Sequence, residues 1–178
     1  MANKILILLL FNLVFFISCT DPCSSQDEAI SNATNWLISQ QISDGSWGKR
    51  IDLPTTAFSI LALENSGLDV RGDKEHLSGI TYSTAMELAF QYLATKDSSI
   101  YSKLQLLQKS DGSWDDSISI TNFILIGFSD AGLSNPNAVA YIKSYQNPTN
   151  GGWQDSAYLT SLSLSALIKS GDTSEQVS

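Results

Sequence analysis

The sequence predicts an all-α protein built from three helix–loop–helix repeats, and two observations carry that reading. A loop motif recurs as Gln41-Ile42-Ser43-Asp44-Gly45-Ser46-Trp47, as Gln108-Lys109-Ser110-Asp111-Gly112-Ser113-Trp114, and, one residue longer, from Gln146 to Trp153. After each copy a threonine (Thr56, Thr121, Thr160) is followed eleven residues later by a glycine (Gly67, Gly132, Gly171). Fixed spacing repeated along a chain is the mark of stacked supersecondary units.

The segment before each loop reads as an amphipathic helix. Ala33, Trp36, Leu37 and Gln41 recur as Ala138, Tyr141, Ile142 and Gln146, with Leu104 and Gln108 in the middle copy. These offsets put the apolar residues on one helical face. Asp-Gly or Gly-Gly then stops the helix, since glycine enters the left-handed region at low cost. The segment after each Trp reads as a second helix, apolar nearly all round: Ala57, Phe58, Ile60, Leu61, Ala62 and Leu63 in the first copy, Phe123 to Ile126 and Phe128 in the second. A helix without a polar face is a buried one. Asp52 and Pro54 suit its start, and Gly67, Gly132 and Gly171 its end. In the third copy Leu162-Ser163-Leu164-Ser165-Ala166 alternates with period two, which alone argues a strand. Its alignment between Thr160 and Gly171 assigns it to a helix.

The tryptophans are 67 and 39 residues apart, so the middle copy carries extra chain. Residues 70–80, with Gly72 and Gly79, read as a loop. Residues 84–96 read as a helix with Ala85, Leu88, Ala89, Tyr92 and Leu93 on one face. Residues 98–108 either continue it after a break or form a separate short helix.

The N-terminus has its own logic. Lys4 precedes an apolar run, Ile5 to Ile17, interrupted only by Asn12. That run is too short for a bilayer, which needs roughly 20 apolar residues, and it fits a signal peptide over 1–18; the alternative is an uncleaved anchor helix. Residues 19–27 are polar and read as a tether, and 28–178 as the repeat domain. Phe16-Ile17-Ser18-Cys19 resembles a bacterial lipobox, with Phe16 where that pattern prefers Leu. The resemblance implies lipidation of Cys19 and a domain held at a membrane outside the cytoplasm. Ordinary secretion, with Cys19 and Cys23 removed, paired or free, is the other reading. The chain is acidic, with ten Lys+Arg against eighteen Asp+Glu and a net charge of −8. It has no basic run, which excludes the usual electrostatic route to nucleic acid.

The Gln…Asp-Gly-Ser-Trp loop, set between an outer helix carrying Tyr/Trp-Leu and an inner helix beginning at Thr, resembles the QW repeat of the prenyltransferase and squalene-cyclase superfamily. The resemblance covers about residues 29–171. It implies an α/α toroid of concentric inner and outer helices, of which three hairpins supply about half a ring. Gln41, Trp47, Gln108, Trp114, Gln146 and Trp153 are then structural: each Gln is expected to bond orphan carbonyls at a helix end, and each Trp to lay its indole over that amide.

The chemistry of that superfamily is missing from the sequence. The nearest approach to an Asp-x-Asp-Asp acid is Asp111-Gly112-Ser113-Trp114-Asp115-Asp116, where the spacing is wrong. Asp116 and Asp155 each precede a Ser at an inner-helix start, and helix capping explains both. Zinc needs three or four convergent ligands, and the chain offers one histidine, His76 in the 70–80 loop, and two cysteines in the tether. There is no Asp-Asp-x-x-Asp, no thioester sequence and no setting for a Ser/His/Asp triad. Asp111, Asp115 and Asp116 could gather Ca²⁺, but their spacing is not that of an EF-hand and solvated loop charges account for them. No metal and no cofactor is expected.

The function expected is therefore a non-catalytic binding or interaction domain, exported and lipid-anchored. Its partner would be a small molecule or an envelope protein, and a second copy would complete the ring as a homodimer. A cobalamin-carrier-like protein is one version. A terpene cyclase-like or polysaccharide-acting α/α-barrel enzyme, possibly a fragment, is the alternative, and a compact bundle of about seven helices the alternative to the half ring.

Overall fold

The computed structural model describes residues 22–48 and 52–171, with the side chains of 22–25 excepted. Among them the chain is all-α: α1 (Pro22–Ser39), α2 (Leu53–Asn65), α3 (Arg71–Gly79), α4 (Ala85–Thr95), α5 (Ser98–Leu107), α6 (Ile118–Asp130), α7 (Pro136–Ser144) and α8 (Ala157–Lys169). The proposed signal segment and Cys19 lie outside the described residues. No described helix is long and apolar enough to cross a membrane.

The helix α1 belongs to a unit of its own that ends at Gln40. It begins at Pro22, inside the stretch read as a tether, because proline is tolerated in a first turn and polar residues do not prevent a helix. Trp36, expected on a core-facing stripe, is 63% exposed, while Leu37 is half-buried.

In the second unit, from Gln41 onward, every described helix except α3, which starts after Val70, begins at a residue whose side chain satisfies a free N–H group. Asp52, Ser117, Asn135 and Ser156 accept from the backbone of the third residue of α2, α6, α7 and α8, and Thr84 with Glu87 forms a capping box on α4. One expectation is corrected, and one choice left open is decided. Residues 71–79 are a helix: Gly72 and Gly79 sit in its first and last turns, where glycine costs little, and Leu77 anchors it in the core. Residues 98–107 are a separate helix, because Lys96 takes the left-handed conformation (φ 55°) and Asp97 caps the next one. The period-two stretch is helical within α8. It buries Ser163, Ala166 and Leu167, three to four residues apart, and leaves Leu164 outside.

Helices α2, α4, α6 and α8 pack side by side in that order. They run parallel. Phe58 meets Phe90 near the middle of α2 and α4, Phe90 meets Phe123 of α6, and Asn122 of α6 donates to Ser163 Oγ of α8 at 2.8 Å. At the C-terminal ends Lys169 of α8 pairs with Asp130 of α6, and Glu64 of α2 with Lys74. Lys96 at the end of α4 lies over the Tyr92 ring and reaches Gly127 O at 3.4 Å; burial lowers its pKa and Asp130 opposes that shift. Four parallel dipoles put partial negative charge at this end, and three lysines gather there.

The remaining helices cover one side of this row: α5 packs on α4, α7 on α6 and α3 on α4. The core lies between the two layers, where Leu88, Tyr92, Leu104, Ile124, Leu125, Phe128 and Ile142 are all nearly inaccessible. Calling the row apolar all round overstates its burial. Phe58 on α2 is 49% exposed and Met86 on α4 is 45% exposed, because no helix covers the row's other side within this unit.

Candidate functional site

The three loops are built from the same bonds. Asp44 Oδ1 accepts from Ser46 N and Oγ (2.9 and 2.7 Å), and Asp111 Oδ1 from Ser113 N and Oγ at the same distances. Asn150 Oδ1 takes this place in the third loop, accepting from Gly152 N at 2.9 Å. The serine bonds hold both aspartates below the usual carboxylate range. Gly45, Gly112 and Gly151 have φ of 83°, 90° and 72°, open to glycine and strained for most other residues. The backbone N–H of each Trp donates to the hydroxyl of the threonine singled out in the sequence, Trp47 to Thr56 (3.0 Å), Trp114 to Thr121 (3.2 Å) and Trp153 to Thr160 (3.0 Å). That bond is why a threonine follows each motif.

The glutamines and tryptophans divide their work differently from expectation. Gln41, Gln108 and Gln146 donate to the loop carbonyls of Gly45, Gly112 and Gly151 at 3.1, 2.9 and 3.0 Å, closing their own loops. Helix-end carbonyls are met instead by the indoles, Trp114 Nε1 donating to Leu104 O and Trp153 Nε1 to Ile142 O, both at 2.7 Å, the latter beside the Tyr145 N–H at 3.2 Å. Trp47, Trp114 and Trp153 are 1%, 0% and 3% exposed. The geometry follows from reach: the rigid indole extends its N–H back to the preceding helix, while the shorter amide meets the turn beside it.

A further residue of this kind escaped sequence reading. The α3–α4 hairpin has no loop motif, yet Gln91 on α4 donates to Leu77 O (2.7 Å) and Ile80 O (2.8 Å). Leu77 is the tenth residue after Gly67, as Ile142 is the tenth after Gly132. The carbonyl that takes an indole N–H in the α7–α8 hairpin therefore takes an amide N–H here. Gln91 lies in the middle of α4 between the apolar Phe90 and Tyr92, and a polar residue inside that run was the available signal.

The acidic residues weighed for chemistry are engaged in the loops. Asp115 and Asp116 stand in the left-handed region (φ 54° and 53°), as do Gln154 and Asp155 (51° and 50°). Asp and Asn tolerate that region better than branched residues do. The caps expected of Asp116 and Asp155 are made by Ser117 and Ser156, while Asp116 pairs with Lys109 (2.5 Å) and Asp155 accepts from Asn150 (2.9 Å). Among the described residues no three His, Cys, Asp or Glu side chains converge as a metal site would require.

Aromatic side chains link neighbouring helices of the row α2, α4 and α6. Phe58, Phe90 and Phe123 form a continuous aromatic run across α2, α4 and α6, with ring centroids 6.0 Å apart at 71° and 5.3 Å apart at 46°. Edge-to-face and tilted pairs of this kind favour association beyond their buried area. While α4 turns Ala85, Leu88, Ala89 and Tyr92 to the core between the layers, Phe90 and Met86 lie outside that cluster one turn apart, Phe90 buried and Met86 exposed. Comparison with protein-family models, with curated proteins and with solved structures finds no match to this chain.

Proposed function

We propose that this chain is a non-catalytic binding domain, exported and tethered to a membrane through lipidated Cys19, on a partial α/α toroid of the prenyltransferase and squalene-cyclase type. The observation that carries the reading is the pair of exposed apolar side chains Phe58 and Met86, 49% and 45% exposed, with Phe58 edge-on to the buried Phe90 and Phe90 in turn against the half-buried Phe123. Large apolar side chains left exposed beside a buried aromatic run serve contact rather than solubility. The acidic side chains of the inner row stand at helix ends in caps and ion pairs, Asp52 and Glu87 at N-termini and Glu64 and Asp130 at C-termini. That supports binding over acid catalysis.

Two measurements test the reading. A photo-crosslinker at position 58, in intact cells, should give adducts that a crosslinker at exposed Ser102 of α5 does not; equal labelling at both positions would overturn the inner face as the contact surface. The protein should partition into detergent and move to the aqueous phase on Cys19→Ala; aqueous behaviour of the unmutated protein would remove the anchor.

A further inference from the structure

The two outer helices that follow a motif loop do not sit alike. Both start four residues after a glycine, α3 at Arg71 after Gly67 and α7 at Pro136 after Gly132. At the second loop Gln108 bonds Asn135, the N-cap of α7, donating at 3.0 Å and accepting at 3.1 Å. The α7 backbone crowds that loop, and a Cβ on Gly112 would stand 2.2 Å from Asn137 O. At the first loop Gln41 instead bonds Asp73 Oδ1 at 2.7 Å, and what faces Gly45 is the His76 ring, 3.4 Å from a Cβ there. Counted from their glycines, these contacts fall three to four residues later on α3 than on α7. The helix α3 is therefore slid by one turn, about 5 Å, and its close partner is α4.

The slip leaves a cavity of about 210 Å³ between the first loop, the start of α2 and α3. Its floor is apolar: Leu53 and Leu77 are buried and Ile80 half-buried. The hydroxyls of Ser46 and Thr56 reach it already engaged, one with Asp44 and the other with the Trp47 backbone. At the mouth stand the exposed Asp44 and His76. Both Ser46 bonds fall on Asp44 Oδ1, which leaves the Oδ2 edge outside them.

We propose that this cavity is a binding site for small primary amines carrying an aromatic or branched apolar group. Size selects the apolar part: benzene fills an engineered protein cavity of about 150 Å³, so this one takes a ring with one or two further atoms. Chemistry selects the head group. An ammonium at the mouth meets an ionised carboxylate through a charge-assisted bond, in a chain of net charge −8, with the flat His76 ring as one wall.

The test is a titration of the ¹⁵N-labelled protein with benzylamine, benzyl alcohol and benzoate, followed by amide shifts. Benzylamine should give saturable shifts confined to residues 44–46, 53–56 and 76–80. Benzyl alcohol should bind roughly tenfold more weakly, lacking the charged bond, and benzoate should not saturate. Asp44→Asn keeps an Oδ1 acceptor for Ser46 and should reduce benzylamine to the alcohol's affinity; Ile80→Trp should fill the cavity and abolish binding of both. No saturable shift at those residues, benzoate binding as well as benzylamine, or an unchanged affinity in Asp44→Asn would each overturn the proposal.

Discussion

Replacing Trp114 separates the two things its side chain does. The indole fills space between α5 and α6, fully buried and edge-on to Phe128 with centroids 5.9 Å apart, and it donates one hydrogen bond to Leu104 O. Trp114→Ala removes both. Deleting a buried aromatic costs about 3–5 kcal/mol and an unpaired buried carbonyl about 1–3 kcal/mol, so the loss is roughly 4–8 kcal/mol. Against a typical domain stability of about 5–15 kcal/mol, that variant can be largely unfolded. Trp114→Phe is the sharper experiment, because it keeps a ring against Phe128 and removes the N–H. It should cost about 2–3 kcal/mol, mostly the unpaired carbonyl with a small volume term. Urea unfolding followed by far-ultraviolet circular dichroism measures this, provided the slope with denaturant stays constant. Trp36→Phe, at an exposed position, is the control and should lie within about 0.5 kcal/mol of the unmutated protein. A Trp114→Phe value as small as the control's would refute the role assigned to the indole N–H.

Three further predictions concern the same framework. Gln91→Leu removes the amide N–H from Ile80 O and from Leu77 O, which keeps the Ile80 N–H, and should destabilise by about 1–3 kcal/mol in the same urea assay; a neutral result would mean that water serves Leu77 O and Ile80 O equally well. Gly112→Ala should cost well over 3 kcal/mol, since positive φ costs roughly 1–3 kcal/mol and the Asn137 carbonyl blocks the added carbon, whereas Gly45→Ala should cost only the backbone strain; equal losses would deny the slip of α3. Asp44 and Asp111 have pKa values below the ordinary 3.8, so their contribution to stability is complete above pH 3.8 and is lost as pH falls through the lowered values. Carboxyl NMR titration should find the Asp111 pKa returned upward in Ser113→Ala, and an unchanged value would show that the serine bonds are not its cause.

Much of the helix pattern was legible because glycine, proline and cap residues act locally. Asp52 with Pro54, Thr84 with Glu87, and Gly67, Gly132 and Gly171 mark ends that need no tertiary partner. The 71–79 helix was hidden because its two glycines read as breaks and its single core anchor, Leu77, gives no periodicity. The threonines were legible as a fixed spacing, but their bond to the Trp backbone was not, since it joins residues seven to nine apart through a turn whose shape depends on the loop's own bonds. The aromatic run was out of reach for a different reason. Phe58, Phe90 and Phe123 lie on three helices, and only the parallel register of the inner row brings them together. The cavity at the first loop depends on a one-turn slip, a difference of packing between helices whose starting glycines are spaced identically.

Gln91 changes what has to be specified for one more hairpin in such an array. The carbonyls of Leu77 and Ile142 each accept one side-chain N–H beside a backbone N–H from three residues on, and do not distinguish an indole carried by a loop from an amide carried by the next helix. The connector is then free to shrink from residues 108–117, between α5 and α6, to residues 80–84, between α3 and α4, while the inner helices remain side by side. Connector length and lateral packing thus become separate variables. A hairpin could be shortened by moving the donor onto its second helix, with no change to the row it joins.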